Sequence, residues 1–508
     1  MDSPVVTQLF RQLFGRHPLC PSRHKPSRLT TTIHSVRRHR QRASCYSTRS
    51  SSAGSDAVPG RRNESNWQQR TTLLPEDRSD EFRRYPTVTA KDLRGRRERP
   101  RRVKMLMRDF IEDSLYNPQY GYFSQQVVIF SPGEPFDFGS LRDEAEFQNV
   151  LSRRYVEFED RLDAAEGQKS DTRQLWYTPT ELFRPYYGEA VARYLVANYK
   201  LTTYPYHDLI IYEMGAGRGT LMTNILDYIR DVDPAVYART RYKIIEISSQ
   251  LATLQSSQLM KSAAGRGHAD RVEIINQSIF DWTSPVPSPC FFLAFEVFDN
   301  FAHDVVRYDL STETPMQGVV LIDDAGDFFE FYTPQLDPVA SRFFRVREAA
   351  TDGRYRVPYP STKVGRWLAL NRPFAPNLSA PEYIPTRLMQ FFDVLGKYFP
   401  AHRLLTSDFH SLPDAIKGLN APIVQTRFER RPVPVTTPLV HQGYFDIMFP
   451  TDFGISEAIY QAITGKLTRV MSHEEFMTRW ADVDLTETRS GENPLLSWYR
   501  NASVLCTV

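Results

Sequence analysis

The stretch LIIYEMGAGRG (209–219) constrains this chain more than any other, because an apolar run ends in an acid and glycines follow at alternate positions. A buried strand cannot continue through Gly215, Gly217 and Gly219, since bare backbone favours tight turns over regular elements. Directly after them, TLMTNILDYIR repeats Leu221, Ile225 and Ile229 at helical spacing. The reading is strand, loop, helix. The pattern then recurs: YKIIEI (242–247) is a second strand, and SSQLATLQSSQL a helix that Ser248 can cap. RVEII (271–275) and CFFLAF (290–295) supply two more strands. Strands separated by helices predict an α/β fold with a doubly wound, Rossmann-like parallel sheet. Ligands bind such sheets at the carboxyl ends of the strands.

The loop's chemistry follows from its neighbours. A dinucleotide fingerprint reads G-x-G-x-x-G and cradles a pyrophosphate, but here Thr220 follows the third glycine and Glu213 stands two residues before the first. A carboxylate there repels a pyrophosphate and attracts an ammonium. The nucleoside that carries an amino acid group is S-adenosyl-L-methionine, whose tail is expected on Gly215, Gly217 and Gly219 with Glu213 holding the amine. Glu246, at the end of the second strand, is placed to accept ribose hydroxyls, and Asn276 and Gln277, past the third, to read the adenine edge. The competing reading is a glycine turn kept only for packing.

The fourth strand runs into AFEVFDNFAHD (294–304), so Glu296 and Asp299 leave its carboxyl end beside the expected methyl donor. Paired carboxylates can hold a planar guanidinium and aim one nitrogen at a sulfonium methyl. That makes them the catalytic candidates. The alternative has Asp299 capping a helix and Glu296 paired with an arginine, and His303 is a weaker candidate for taking a proton. No metal is required.

With 508 residues the chain can hold two or three domains. Its first 50 residues carry ten Lys and Arg against one acid, Asp2, leaving 53 basic and 59 acidic residues elsewhere. An Arg- and Ser-rich, acid-poor start with the amphipathic segment VVTQLFRQLF is expected to be a mitochondrial transit peptide. Residues 51–80 read as a linker and 81–205 as a helical region with a charged insertion near 125–175. The cofactor-binding core is expected over 206–335, a mostly helical insertion over 336–400, and strands and helices that complete the domain over 401–508. Within 81–205, Val103, Leu106, Met107, Phe110, Ile111 and Leu115 suggest one continuous helix, and the C-terminus has a helical tone. No apolar run is long enough to span a bilayer, and the basic run RGRRERPRRVK (94–104) lacks the interleaved aromatics of a nucleic-acid surface. Four cysteines, two of them in the presumed presequence, make neither a disulfide framework nor a zinc site.

Taken together, these motifs resemble the MidA-like methyltransferases over roughly residues 100–500. LYNPQYGYF, YTPTELFRPYYGE, EMGAGRGTL, FEVFDNFA, SDFH and GYFDIMFPTDF are each similar to a family segment. The family often has Asn where Phe295 stands, and Leu-Pro where Phe301 and Ala302 stand. The resemblance implies a class I methyltransferase sheet, with an N-terminal helical region and later segments covering the site. It further implies a matrix enzyme that symmetrically dimethylates an arginine on a core subunit of respiratory complex I. It leaves the oligomeric state open. Rival readings are a methyltransferase of another substrate class, a non-catalytic assembly chaperone that binds S-adenosyl-L-methionine for stability, and, disfavoured by Glu213 and Thr220, a dehydrogenase.

Overall fold

The computed structural model describes residues 67–69, 76–125, 127–247, 260–371, 377–413, 415 and 420–508. The expected transit peptide and the helix expected over 248–259 lie outside these residues.

The centre is a seven-stranded sheet built from Leu209–Met214 (β1), Thr240–Glu246 (β2), Val272–Asn276 (β3), Cys290–Phe295 (β4), His402–Phe409 (β5), Thr468–Ser472 (β6) and Ala502–Thr507 (β7). Their spatial order is β3-β2-β1-β4-β5-β7-β6. β1 to β5 run parallel, and β7 is antiparallel to both β5 and β6. The chain therefore builds outward from β1 through β2 to β3, then returns to the other side of β1 with β4. That reversal opens a crevice between the carboxyl ends of β1 and β4, where a doubly wound sheet binds its ligand.

Burial on both faces explains the composition of these strands. β4, CFFLAF, is buried from Cys290 to Ala294, as expected for a strand covered on both sides. One apolar cluster packs the helices Tyr186–Thr202 (α1) and Thr220–Val232 (α2) on one face, through Leu195, Ile225 and Ile229. A second cluster packs Thr386–Tyr398 (α3) on the other, through Phe391, Phe392 and Leu395.

Two expectations are corrected. Val103–Leu106 is a strand and not the first turn of the following helix, which begins at Met107. Its alternating burial satisfies a period of two, and it pairs antiparallel with Pro315–Ile322. That partner lies over 200 residues away, so its pull was invisible locally. The C-terminus is also less helical than its tone suggests: β6 and β7 join the central sheet, with the helix His473–Trp480 between them.

A second sheet carries Asp304–Tyr308, Pro315–Ile322, Phe328–Thr333 and Glu382–Ile384, together with Val103–Leu106 and Trp67–Gln68. PIVQTRFE and YFDIMF form strands, Ile423–Phe428 and Asp446–Met448, of a separate three-stranded sheet. Among the described residues no helix is long and apolar enough to cross a membrane.

Candidate functional site

The glycine loop leaves β1 with Gly215, Gly217 and Gly219 all at positive φ, of 75°, 53° and 76°. This is the left-handed region that side chains resist. The space around Gly215 and Gly217 is tight as well. A Cβ on Gly215 would lie 2.8 Å from Val297, and one on Gly217 2.7 Å from Ile129. The first contact sets the loop against the segment that leaves β4, across the crevice.

Glu213, the penultimate residue of β1, is buried and accepts a hydrogen bond from the Tyr242 hydroxyl at 2.8 Å. Burial is the main reason its carboxyl is pushed up to about 7, with Glu246 adding like-charge repulsion. Glu246 ends β2 opposite Asn276 in register and is raised by burial as well. Asn276 and Gln277 line a cavity of about 480 Å³ at the carboxyl edge of β2 and β3, which Asp113, Tyr116 and Phe301 also line. One N–H of the Gln277 side-chain amide already donates to the Asp281 carbonyl at 2.6 Å, which leaves its oxygen and its second N–H to a ligand.

Across the crevice, Glu296 follows β4 with φ 52°, a conformation a non-glycine residue holds only when its surroundings impose it. Its surroundings are specific. The Glu296 amide donates to the Ser407 carbonyl at 2.9 Å. Asp408, at the end of β5, accepts the amides of Val297 at 3.1 Å and Phe298 at 2.7 Å, which pins the turn. Asp299 is buried, and its Oδ1 has no hydrogen-bond partner. Asp446 accepts from the Asn300 side chain at 2.9 Å.

Glu296, Asp299, Asp408 and Asp446 thus form a group of acids around one turn. Burial pushes all of them up, Asp408 to about 6 and Asp446 to about 7. Glu296 and Asp299 rise well above the usual carboxylate range, each raised further by Asp408. None pairs with Lys, Arg or His among the described residues, so the arginine partner of the alternative reading is not there, and the turn at Asp299 leads into the strand Asp304–Tyr308 and not into a helix for it to cap. Buried acids without a counter-charge are costly, and an incoming cation would relieve that cost.

The model of the family described as "Putative S-adenosyl-L-methionine-dependent methyltransferase" matches residues 190–471, more than half of the chain. The chain belongs to this family. Its cofactor is S-adenosyl-L-methionine and its fold the class I methyltransferase fold. Two curated relatives carry the name "Protein arginine methyltransferase NDUFAF7 homolog, mitochondrial". The one from Schizosaccharomyces pombe is 26% identical over 75% of this chain and 80% of its own length. The one from Saccharomyces cerevisiae is 22% identical over 63% of this chain and 77% of its own. A solved structure from Burkholderia thailandensis, bound to S-adenosyl-homocysteine, aligns with a TM-score of 0.50 at 17% identity. The alignment covers 80% of this chain and 88% of that one.

The residues of this methyltransferase suit the cofactor's shape and charge. A backbone cradle that any Cβ would crowd and a buried acid match an amino acid tail, and carboxylate and amide groups follow along the sheet edge.

Sequence reasoning missed Asp408 and Asp446 as members of this site. Strands were expected within 401–508, and in RLLTSDF (403–409) an acid near the carboxyl end was the available signal. Nothing local put Asp446 beside Asn300. His303 is held in packing: its ring stacks on Phe449 at 3.8 Å, its Nδ1 donates to the Phe301 carbonyl, and burial lowers it to about 3. Phe295 packs its ring edge-to-face on Tyr187, with centroids 6.1 Å apart.

Proposed function

We propose that this methyltransferase modifies an arginine side chain of a protein, and that Glu296 and Asp299 hold the guanidinium. The observation that carries this reading is the group of acids, Asp299, Asp408 and Asp446 buried and Glu296 half-buried, that lacks a basic partner among the described residues, across the crevice from the glycine loop. The names of the two yeast relatives support the same acceptor class.

In this reading Gly215, Gly217 and Gly219 take the amino acid tail of S-adenosyl-L-methionine, Glu213 its amine, Glu246 the ribose, and Asn276 and Gln277 the adenine. When bound, the cofactor supplies an electrophilic methyl on its sulfonium sulfur. Glu296 and Asp299 accept guanidinium N–H groups and orient one nitrogen's lone pair toward the loop. Their raised carboxyls suit them to receive the proton that nitrogen releases on methylation.

The mitochondrial names of the relatives and the basic, acid-poor first 50 residues support a matrix enzyme with a cleaved presequence. Symmetric dimethylation of a core subunit of complex I is the finer proposal, resting on the family resemblance. Glu296→Gln is the test. Losing one charge-assisted hydrogen bond costs about 1.5 to 3 kcal/mol. Methylation of acceptor proteins should therefore fall about ten- to a hundredfold while S-adenosyl-L-methionine affinity changes little. Unchanged methylation, or collapsed cofactor binding, refutes the clamp.

A further inference from the structure

Two phenols near Glu296 have no part in the proposed methyl transfer. Tyr187, on the first turn of α1, is buried, with its ring 6.1 Å from that of Phe295, the residue before Glu296. Tyr499 lies on the turn just before β7, whose pairing with Phe409 through Ala502 brings it to the carboxyl end of β5. Its ring is packed on all sides, 5.8 Å from His473 and 6.2 Å from both Phe183 and Phe409.

The Tyr499 hydroxyl is an orphan, as is the Nδ1 of the neighbouring His473. The residue is 6% exposed, yet its hydroxyl has no hydrogen-bond partner in the protein. It lies in the neighbourhood of Glu296, because Phe409, against which its ring packs, ends the strand whose Ser407 carbonyl accepts the Glu296 amide at 2.9 Å. Evolved interiors rarely leave a buried hydroxyl unpaired, because phenylalanine would pack equally well without the desolvation cost. An orphan of this kind, beside an acid that itself lacks a cationic partner, marks a place where a ligand completes the bonding.

We propose that the Tyr499 hydroxyl is a substrate contact, which accepts an N–H from the planar cationic group held by Glu296 and so helps select the nitrogen presented for methylation. The inference rests on the reading of Glu296 as facing the acceptor. The chemistry is that of a guanidinium, which has N–H donors on all its nitrogens and no acceptor. Carboxylates satisfy one edge in parallel, and a neutral phenol takes a further N–H without adding another buried charge.

The test compares the full-length protein with its Tyr499→Phe variant, which keeps the ring and removes only the orphan hydroxyl. Tritiated methyl transfer from S-adenosyl-L-methionine would be followed into a whole-cell protein extract from cells lacking this protein, with cofactor affinity and melting temperature measured alongside. We expect at least about a tenfold slower transfer at saturating cofactor. Cofactor affinity should stay within about twofold, and the melting temperature should be unchanged or higher. A merely structural hydroxyl would instead lower the melting temperature on removal. That outcome, or wild-type transfer, overturns the proposal. Glu296→Gln run in parallel separates the two levels. If it transfers methyl at the wild-type rate or loses the cofactor, the underlying reading fails. If it behaves as expected while Tyr499→Phe is silent, only the role of Tyr499 fails.

Discussion

Replacing Glu213 with Gln should move stability and ligand affinity in opposite directions, and by amounts that depend on pH. In the fold, burial lifts the Glu213 carboxyl from an ordinary 4.5 to about 7. Because the folded value is the higher one, the stabilising contribution of the neutral acid is fully present below pH 4.5 and is lost as pH rises through 7. Above both values the ionised carboxylate costs the fold about 3 kcal/mol, whereas at pH 5 the cost is below about 1 kcal/mol. Gln removes that cost, and its side-chain oxygen can still accept from the Tyr242 hydroxyl, which donates to Glu213 at 2.8 Å. Urea denaturation should therefore find Glu213→Gln more stable than wild type by about 2 to 3 kcal/mol at pH 8 and nearly equal at pH 5. Calorimetry should find S-adenosyl-L-methionine bound about ten- to a hundredfold more weakly by the variant at pH 8, with the wild-type advantage shrinking below pH 7. A variant that is destabilised at pH 8, or whose stability change is the same at both pH values, would refute the assignment of Glu213 as a buried acid held for a cation.

Gly217→Val should abolish cofactor binding in calorimetry. Its φ is 53° and its Cβ would lie 2.7 Å from Ile129, so the loop must rearrange at a cost of about 1 to 3 kcal/mol; binding equal to wild type would mean that the tail lies elsewhere. The protein purified from mitochondria should begin near residue 50. N-terminal sequencing that finds Met1, or a cytosolic location by fractionation, would remove the transit-peptide proposal.

The sequence alone determined what depends on local order along the chain. The apolar run 209–212, the alternate glycines and the helical spacing of Leu221, Ile225 and Ile229 specify a strand, a left-handed loop and a helix without reference to distant residues. Repetition of that unit was enough to read a doubly wound sheet, because short crossovers between parallel strands leave few topologies. The acids Glu213, Glu246, Glu296 and Asp299 were legible because each sits at the carboxyl end of a strand already in view. What the tertiary structure decided were pairings between segments far apart in sequence. Val103–Leu106 is extended because Pro315–Ile322 offers it a ladder, overriding a helical spacing continuous with the next helix. β7 enters the sheet because β5 and β6 flank it. That same insertion carries Tyr499 to Phe409 at the end of β5, while Asp408 and Asp446 reach the turn after β4 from 110 or more residues away. Local propensity fixes single elements, but the electrostatics of a buried site are set by which distant groups share its low-dielectric interior, and only packing decides that.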